Sequence, residues 1–293
     1  MADGSVDLTN WRSVNRANWD ERVAVHLKTS SYDLQPLRSG RGELHAIEED
    51  ELGSVDGLRV LHLQCHFGVD TLTLAQRGAQ VVGIDFSGPA IEMARSLAAE
   101  LGLSARARFI ECDLYHTPDV LPEPASFDLV YVTWGAINWL PDIEGWAQVV
   151  AGFLKPGGKL YLAEGHPTAL VFDDAFAMPD NMPGLYAPYF HKEALVIDDP
   201  RDYADENAVL KNSLTYEWIH PLGKIITSLL EAGLSLDWLH EHDSVTWQMF
   251  DKLVEDDQGM FRWPDKAWLP LSFSLKATRV MASDMSGGCQ VKP

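Results

Sequence analysis

Cysteine is scarce: Cys65, Cys112 and Cys289 are the only three in 293 residues. An odd set without paired ligand spacing excludes a disulfide scaffold and a cysteine-rich zinc module. The expectation is a reduced, cytoplasmic chain in which Cys65 and Cys112 are small packing residues following strands. Long apolar runs are missing too. No stretch approaches the ~20 residues that cross a bilayer, and Met1–Asn10 has neither the basic nor the apolar region of a secretory signal. Basic residues are few: 23 Lys and Arg against 43 Asp and Glu leave a net charge of −20. Such a surface repels phosphate backbones and anionic lipid, and no local basic patch offsets it. Nucleic acid and membrane are therefore not expected as partners. There is no internal repeat and no low-complexity run.

Hydrophobic residues make up 46% of the chain, the share of an ordinary globular protein. Residues 11–28 read as a helix able to bury Trp11, Trp19, Val23 and Val25; residues 29–45 read as irregular, and 46–52 as one or two acidic helical turns. From residue 58 the pattern alternates. Strands are expected at 58–63, 81–85, 109–112, 127–132 and 159–163. Helices are expected at 70–77, from Ser87 to near Gly102, and at 142–154. This alternation predicts an α/β fold: a doubly wound, Rossmann-like, mostly parallel sheet with helices on both faces. Right-handed crossovers then place the strand C-termini along one edge, where ligands bind. A helix at 221–232 and alternating runs at 234–239 and 271–277 predict an antiparallel C-terminal addition. Residues 165–217, rich in Pro, Asp and aromatics, break the rhythm. They read as a lid inserted over the ligand edge, with a surface excursion tied down by aromatics as the competing reading. The expected organisation is an N-terminal helical cover (1–52), a main domain (53–282) carrying the lid, and a flexible tail (283–293).

The first strand, turn and helix run Val60-Leu-His-Leu-Gln-Cys-His-Phe-Gly68, and Asp85 closes the second strand. Such a turn lets backbone N–H groups and a helix N-terminus approach a ligand, and an acid at the next strand end takes both hydroxyls of a ribose. The segment therefore points to a nucleoside or dinucleotide. A nicotinamide enzyme needs Gly-x-Gly-x-x-Gly so that a pyrophosphate can lie on the turn. Gln64 and His66 stand at those glycine places and would obstruct it.

On these residues the chain resembles the class I S-adenosylmethionine-dependent methyltransferases, over about residues 58–165. In that family the first turn is usually acid-x-Gly-x-Gly-x-Gly. Here His62, Gln64, His66 and Gly68 occupy those places, and His-Leu-Gln-Cys-His-Phe-Gly followed by Asp-Thr-Leu resembles a variant found in bacterial members. Gly83-Ile-Asp85-Phe86-Ser87 is similar to the family's ribose-binding motif, and Cys112-Asp113-Leu114 to the motif that meets the adenine. The resemblance implies S-adenosylmethionine as cofactor and S-adenosylhomocysteine as product. It implies cofactor contacts from Trp19, Tyr32, Gln64, Cys65, His66, Gly68, Asp85, Phe86, Ser87, Cys112, Asp113, Leu114 and Thr133. The missing glycines leave a non-catalytic binder of the same ligands as the alternative.

Methyl transfer is an in-line displacement, so the protein must align the nucleophile, exclude water and remove a proton where the acceptor carries one. Aromatic faces suit a sulfonium. Trp134, Asn138 and Trp139, just past the fourth strand, are expected to wall the acceptor pocket, with Tyr186, Tyr189 and His191 contributed by the lid. His166, two residues beyond the strand-end acid Glu164, is the candidate general base. The acceptor is expected to be a small molecule with an N, O or C nucleophile, and the protein a monomer or homodimer. His62 reads as a hydrogen-bonded core residue. His240 and His242 lack an evident third ligand, so no metal is expected.

Overall fold

Seven strands build the central sheet: β1 (Arg59–Leu63), β2 (Gln80–Asp85), β3 (Ala107–Glu111), β4 (Phe127–Thr133), β5 (Leu154–Gly165), β6 (Leu234–His242) and β7 (Ser272–Arg279). The computed structural model describes residues 10–29, 32–205 and 207–281, and the tail 283–293 with Cys289 lies outside them. The strand order is β6-β7-β5-β4-β1-β2-β3. The β1 to β5 pairings are parallel, while β7 runs antiparallel to both β5 and β6. The sheet is thus mostly parallel with one antiparallel strand, as the alternation of elements predicted. Val60, Leu61 and Leu63 of β1 are wholly buried because helices cover both faces, which is why this strand reads as a nearly continuous apolar run. The chain turns back across the sheet at β1, between β2 and β4, the position whose strand C-termini bind ligands in open α/β sheets.

Six helices matter for the site: α1 (Trp11–His26), α2 (Ala46–Glu51), α3 (Val69–Gln76), α4 (Gly88–Glu100), α5 (Ile143–Phe153) and α6 (Leu222–Glu231). Helices α3 and α4 pack on one face, where Leu72, Leu74, Ile91 and Leu97 meet Val60, Val81, Phe109 and Tyr131. On the other face α5 and α6 bring Trp146, Val150 and Leu229 against Leu61, Val130 and Leu162.

Helix α1 differs from its expectation. Of the four residues expected inside, only Val23 is buried; the others in the buried set are Asn15, Asn18, Arg22 and His26. The reason lies in what the helix faces. Residues 165–217 carry an antiparallel hairpin, Leu195–Asp198 with Leu214–Glu217, and α1 packs on its open backbone edge. Asn15 donates to the Tyr216 carbonyl and accepts from the Tyr216 N–H, each at 2.8 Å. Asn18 donates to the Asn212 carbonyl at 2.6 Å. An unpaired strand edge calls for polar partners, so the interior of this contact is amide rather than hydrocarbon.

A second excursion, between β6 and β7, goes beyond the sequence expectations. It holds three short strands, Ser244–Val245, Val254–Glu255 and Phe261–Arg262, over a small core of Val245, Phe250, Leu253, Trp263 and Leu271. No helix among the described residues is long and apolar enough to cross a membrane.

Candidate cofactor and acceptor site

The turn after β1 takes a left-handed backbone at alternate positions: Gln64 has φ 57°, His66 49° and Gly68 79°. At Gly68 a side chain is also excluded by space, since a Cβ would lie 2.6 Å from the Phe109 ring and 3.1 Å from Ala94. Gln64 and His66 hold a conformation that costs an L-residue about 1–2 kcal/mol. Each is tied by its side chain: the Gln64 amide N–H donates to the Ala136 carbonyl at 2.7 Å, and His66 Nε2 lies 2.8 Å from His26 Nδ1.

Asp85 ends β2 and is buried. Its carboxylate accepts from the His66 N–H at 2.8 Å and the Ser87 N–H at 2.9 Å. Burial pushes its pKa up to about 6, although those backbone donors pull the other way and the nearby Asp20 charge adds to the rise. Ser87 caps α4, accepting from the Ala90 N–H, and Phe86 beside it is half-buried. Cys112 follows β3 and donates its N–H to the Asp85 carbonyl at 2.8 Å. Asp113 accepts from the Tyr115 N–H at 3.0 Å and from Arg12 Nε at 2.6 Å. Asp113 thus caps the turn that follows β3, and Arg12 shares the carboxylate that the resemblance assigns to adenine. Leu114 and Thr133 are buried, and Cys65 is buried beside Gly83.

The wall beyond β4 wraps a buried carboxylate. Glu164 accepts from the N–H groups of Gly135 at 2.8 Å, Ala136 at 2.5 Å, Ile137 at 2.9 Å and Gly165 at 3.2 Å. Trp134 enters this loop with φ 43° and donates Nε1–H to Glu48 Oε1 at 2.9 Å, where the Tyr131 hydroxyl also donates at 3.0 Å. Burial pushes the Glu48 carboxyl up to about 8, and the charge of Asp70 adds to the rise. Next to the loop lies a cavity of about 40 Å³ lined by Ile137, Asn138, Glu164, Trp218, His220 and Trp247 among others. That holds a few waters; a small-molecule pocket is commonly several hundred Å³.

Trp19 packs edge-on against both His66 (5.3 Å between centroids) and Trp139 (5.2 Å), and Tyr32 stacks on His26 at 4.7 Å. Of the expected acceptor residues Asn138 lines the cavity, while Trp134, Trp139, His166, Tyr186, Tyr189 and His191 are outside its lining. Tyr186 stacks on Phe176, the Tyr189 hydroxyl accepts from Leu222 N–H at the start of α6, and His191 lies 3.9 Å from Glu193. Trp218, His220 and Trp247 line the cavity instead. Trp218 and His220 directly follow the hairpin and Trp247 belongs to the second excursion, so their placement depends on pairing between segments rather than on local pattern.

His166 stands at the strand edge as expected, but both ring nitrogens are engaged. Nδ1 accepts from the Thr168 N–H at 3.1 Å, so Nε2 carries the proton and donates to Glu241 at 3.0 Å. Burial lowers its pKa despite Glu241. In this arrangement neither ring nitrogen has a free lone pair for an acceptor, and His166 fastens its turn to β6. His166→Ala should lower stability by about 1–2 kcal/mol and leave S-adenosylhomocysteine affinity unchanged, as thermal melts and calorimetry would report. A hundredfold fall in turnover without loss of stability would restore the base. His62, donating to or accepting from Thr71 at 2.8 Å, is the core residue expected.

Four buried oxygens around these strand ends have no hydrogen-bond partner among the described residues: Asp20 Oδ1, Glu48 Oε2, Gln64 Oε1 and Asn138 Oδ1. All are acceptors. A buried acceptor left unmade costs about 1–3 kcal/mol, so the set fits a ligand rich in donors or positive charge.

Residues 60–158 match the protein family described as "Methyltransferase domain". A ubiquinone biosynthesis O-methyltransferase from Leptothrix cholodnii is 32% identical over 132 residues, covering 45% of this chain and 52% of that protein. A tRNA 5-carboxymethoxyuridine methyltransferase from Escherichia coli is 27% identical over 184 residues, covering 63% of this chain and 66% of that one. The matched stretch spans about half the length of the ubiquinone relatives. In three dimensions, an S-adenosylmethionine dependent methyltransferase from Mesorhizobium loti aligns with a TM-score of 0.52 at 19% identity, over 80% of this chain and 96% of that one. Residues 60–158 thus carry a methyltransferase domain, and the sheet they build has the fold of the class I, S-adenosylmethionine-dependent methyltransferases.

Proposed function

We propose that the protein binds S-adenosylmethionine across the ends of β1, β2 and β4 and transfers its methyl group to a small, largely apolar acceptor. The observation that carries this reading is the set of unpartnered buried acceptor oxygens on Asp20, Gln64 and Asn138, whose unpaired atoms call for donors. S-adenosylmethionine supplies an ammonium, two ribose hydroxyls, an adenine amine and, on its sulfonium, the electrophilic methyl. Asp85 is placed to accept the ribose hydroxyls, and the Cys112–Leu114 corner to meet the adenine. Trp19 and Trp139 close the turn against water. With His166 and Glu164 committed to the fold, the chain's contribution to the chemistry is alignment and desolvation rather than proton removal. The support for an apolar acceptor is the cavity's Ile137, Leu170, Trp218, Ile225, Trp247 and Phe273, which share the lining with Asn138, Glu164 and His220; an acceptor must open this space further to enter.

The test is calorimetry with S-adenosylmethionine and S-adenosylhomocysteine, followed by a hydrolase-coupled screen of phenols, amines, carboxylates and bulk tRNA. Micromolar binding with turnover on a phenol or amine is expected. Turnover on tRNA alone would move the acceptor to RNA, as in the Escherichia coli relative. Binding without turnover on any acceptor would favour the non-catalytic alternative, and no binding would end the reading.

A further inference from the structure

One buried polar chain joins three segments that are far apart in sequence. Asp202, from the inserted segment, has its side chain wholly buried and lies 3.2 Å from His26 Nε2. It also accepts from Arg22 at 2.9 Å and from the Ala204 N–H at 2.8 Å. His26, on α1 and wholly buried, reaches His66 Nε2 through its Nδ1 at 2.8 Å. A carboxylate only accepts. His26 therefore carries a proton on Nε2 and donates it to Asp202, and its Nδ1 shares one proton with His66 Nε2.

Its far end is the cofactor turn. His66 holds φ 49°, a conformation a glycine adopts freely and a histidine does not. In that conformation its N–H points at Asp85, 2.8 Å away. Nothing local favours this backbone, so the side-chain anchor must supply the difference.

We propose that Asp202 and His26 are positioning residues that hold His66 in a left-handed turn, and through its amide set the Asp85 carboxylate. The inserted segment is then part of the cofactor site rather than a cover over it: an undocked insertion leaves the turn free to relax and Asp85 without its His66 donor. The proposal rests on the cofactor reading above for its affinity readout, but the tether itself can be read in the ligand-free protein.

The experiment compares four variants for S-adenosylhomocysteine affinity, with a thermal melt of each: His66→Ala, His66→Gly, Asp202→Asn and the Asp202→Asn, His66→Gly double. His66→Ala, which removes the anchor and keeps the strained backbone, should weaken binding about tenfold. His66→Gly, which also removes the anchor but relieves the strain, should recover most of that loss. Asp202→Asn keeps an oxygen for Arg22 but weakens the hold on His26; it should cost about tenfold in the native background and less than about twofold on His66→Gly. In the free protein, amide exchange at His66 should accelerate in Asp202→Asn. Equal affinities for His66→Ala and His66→Gly would mean that the imidazole acts by contact alone and would overturn the proposal. So would an Asp202→Asn effect of the same size in both backgrounds, or an unchanged His66 amide. If Asp202→Asn does not fold, the alanine–glycine pair decides alone. If the native protein binds no S-adenosylhomocysteine, the functional reading fails and the amide exchange still judges the tether.

Discussion

Asp85→Ala is expected to weaken S-adenosylhomocysteine binding by about 30- to 1,000-fold, the equivalent of two charge-assisted hydrogen bonds, in a protein that remains folded. Unchanged affinity in a folded variant would remove Asp85 from the ligand site. The same carboxyl makes a second, opposite prediction for the free protein. Its pKa rises from the ordinary 3.8 to about 6 on folding, so the fold favours the protonated form. The stability Asp85 contributes is fully present below about pH 4 and is lost as pH rises through about 6. A rise of that size corresponds to about 2–3 kcal/mol. Denaturant unfolding of the native protein and Asp85→Asn at about pH 4.5 and about pH 8 should show the difference moving against the native protein by that much. A change in the other direction would mean that the turn amides hold Asp85 ionised. A site that weakens the free fold and strengthens ligand binding is the common trade between stability and function.

Glu164→Ala should have the largest effect on the fold. The carboxylate gathers four backbone N–H groups, three of them consecutive at Gly135, Ala136 and Ile137. Removing it leaves those donors buried without an acceptor and frees the loop that carries Trp134 and Asn138. A loss of about 3–5 kcal/mol is expected, read as a fall in the denaturation midpoint. Glu164→Gln keeps one carbonyl oxygen for two of the donors and should lose about half as much. If Glu164→Ala were within about 1 kcal/mol of the native protein, on the order of one ordinary hydrogen bond, the loop would be held by its neighbours instead.

The sheet was legible because its determinants are local. Strands β1 to β5 each carry a run of β-branched or aliphatic residues bounded by a turn, and each intervening helix has its own cap or stop, such as Ser87 and Gly78. Asp85 was legible for the same reason: position at a strand end, in a fold whose ligand edge follows from chain handedness. The polar face of α1 was not legible, because Asn15 and Asn18 are inside only where a hairpin edge about 200 residues away presents its backbone. The hydrogen bonds of His166 were not legible in full. Its partners are Thr168, two residues on, and Glu241, 75 residues on, and only the second required the β5–β7–β6 neighbourhood.

Sequence alone therefore determined the order of strands and helices, the position of Asp85 at the end of β2 and the loss of two glycines from the first turn. It could do so because hydrophobic period, caps and turns act over a few residues. Tertiary structure decided what compensates for those glycines, which aromatic residues reach the cavity, and which titratable groups are already spent on the fold. Those outcomes depend on contacts between segments such as Asp202, His26 and His66, which no local pattern ties together, and burial sets both their partners and their charge.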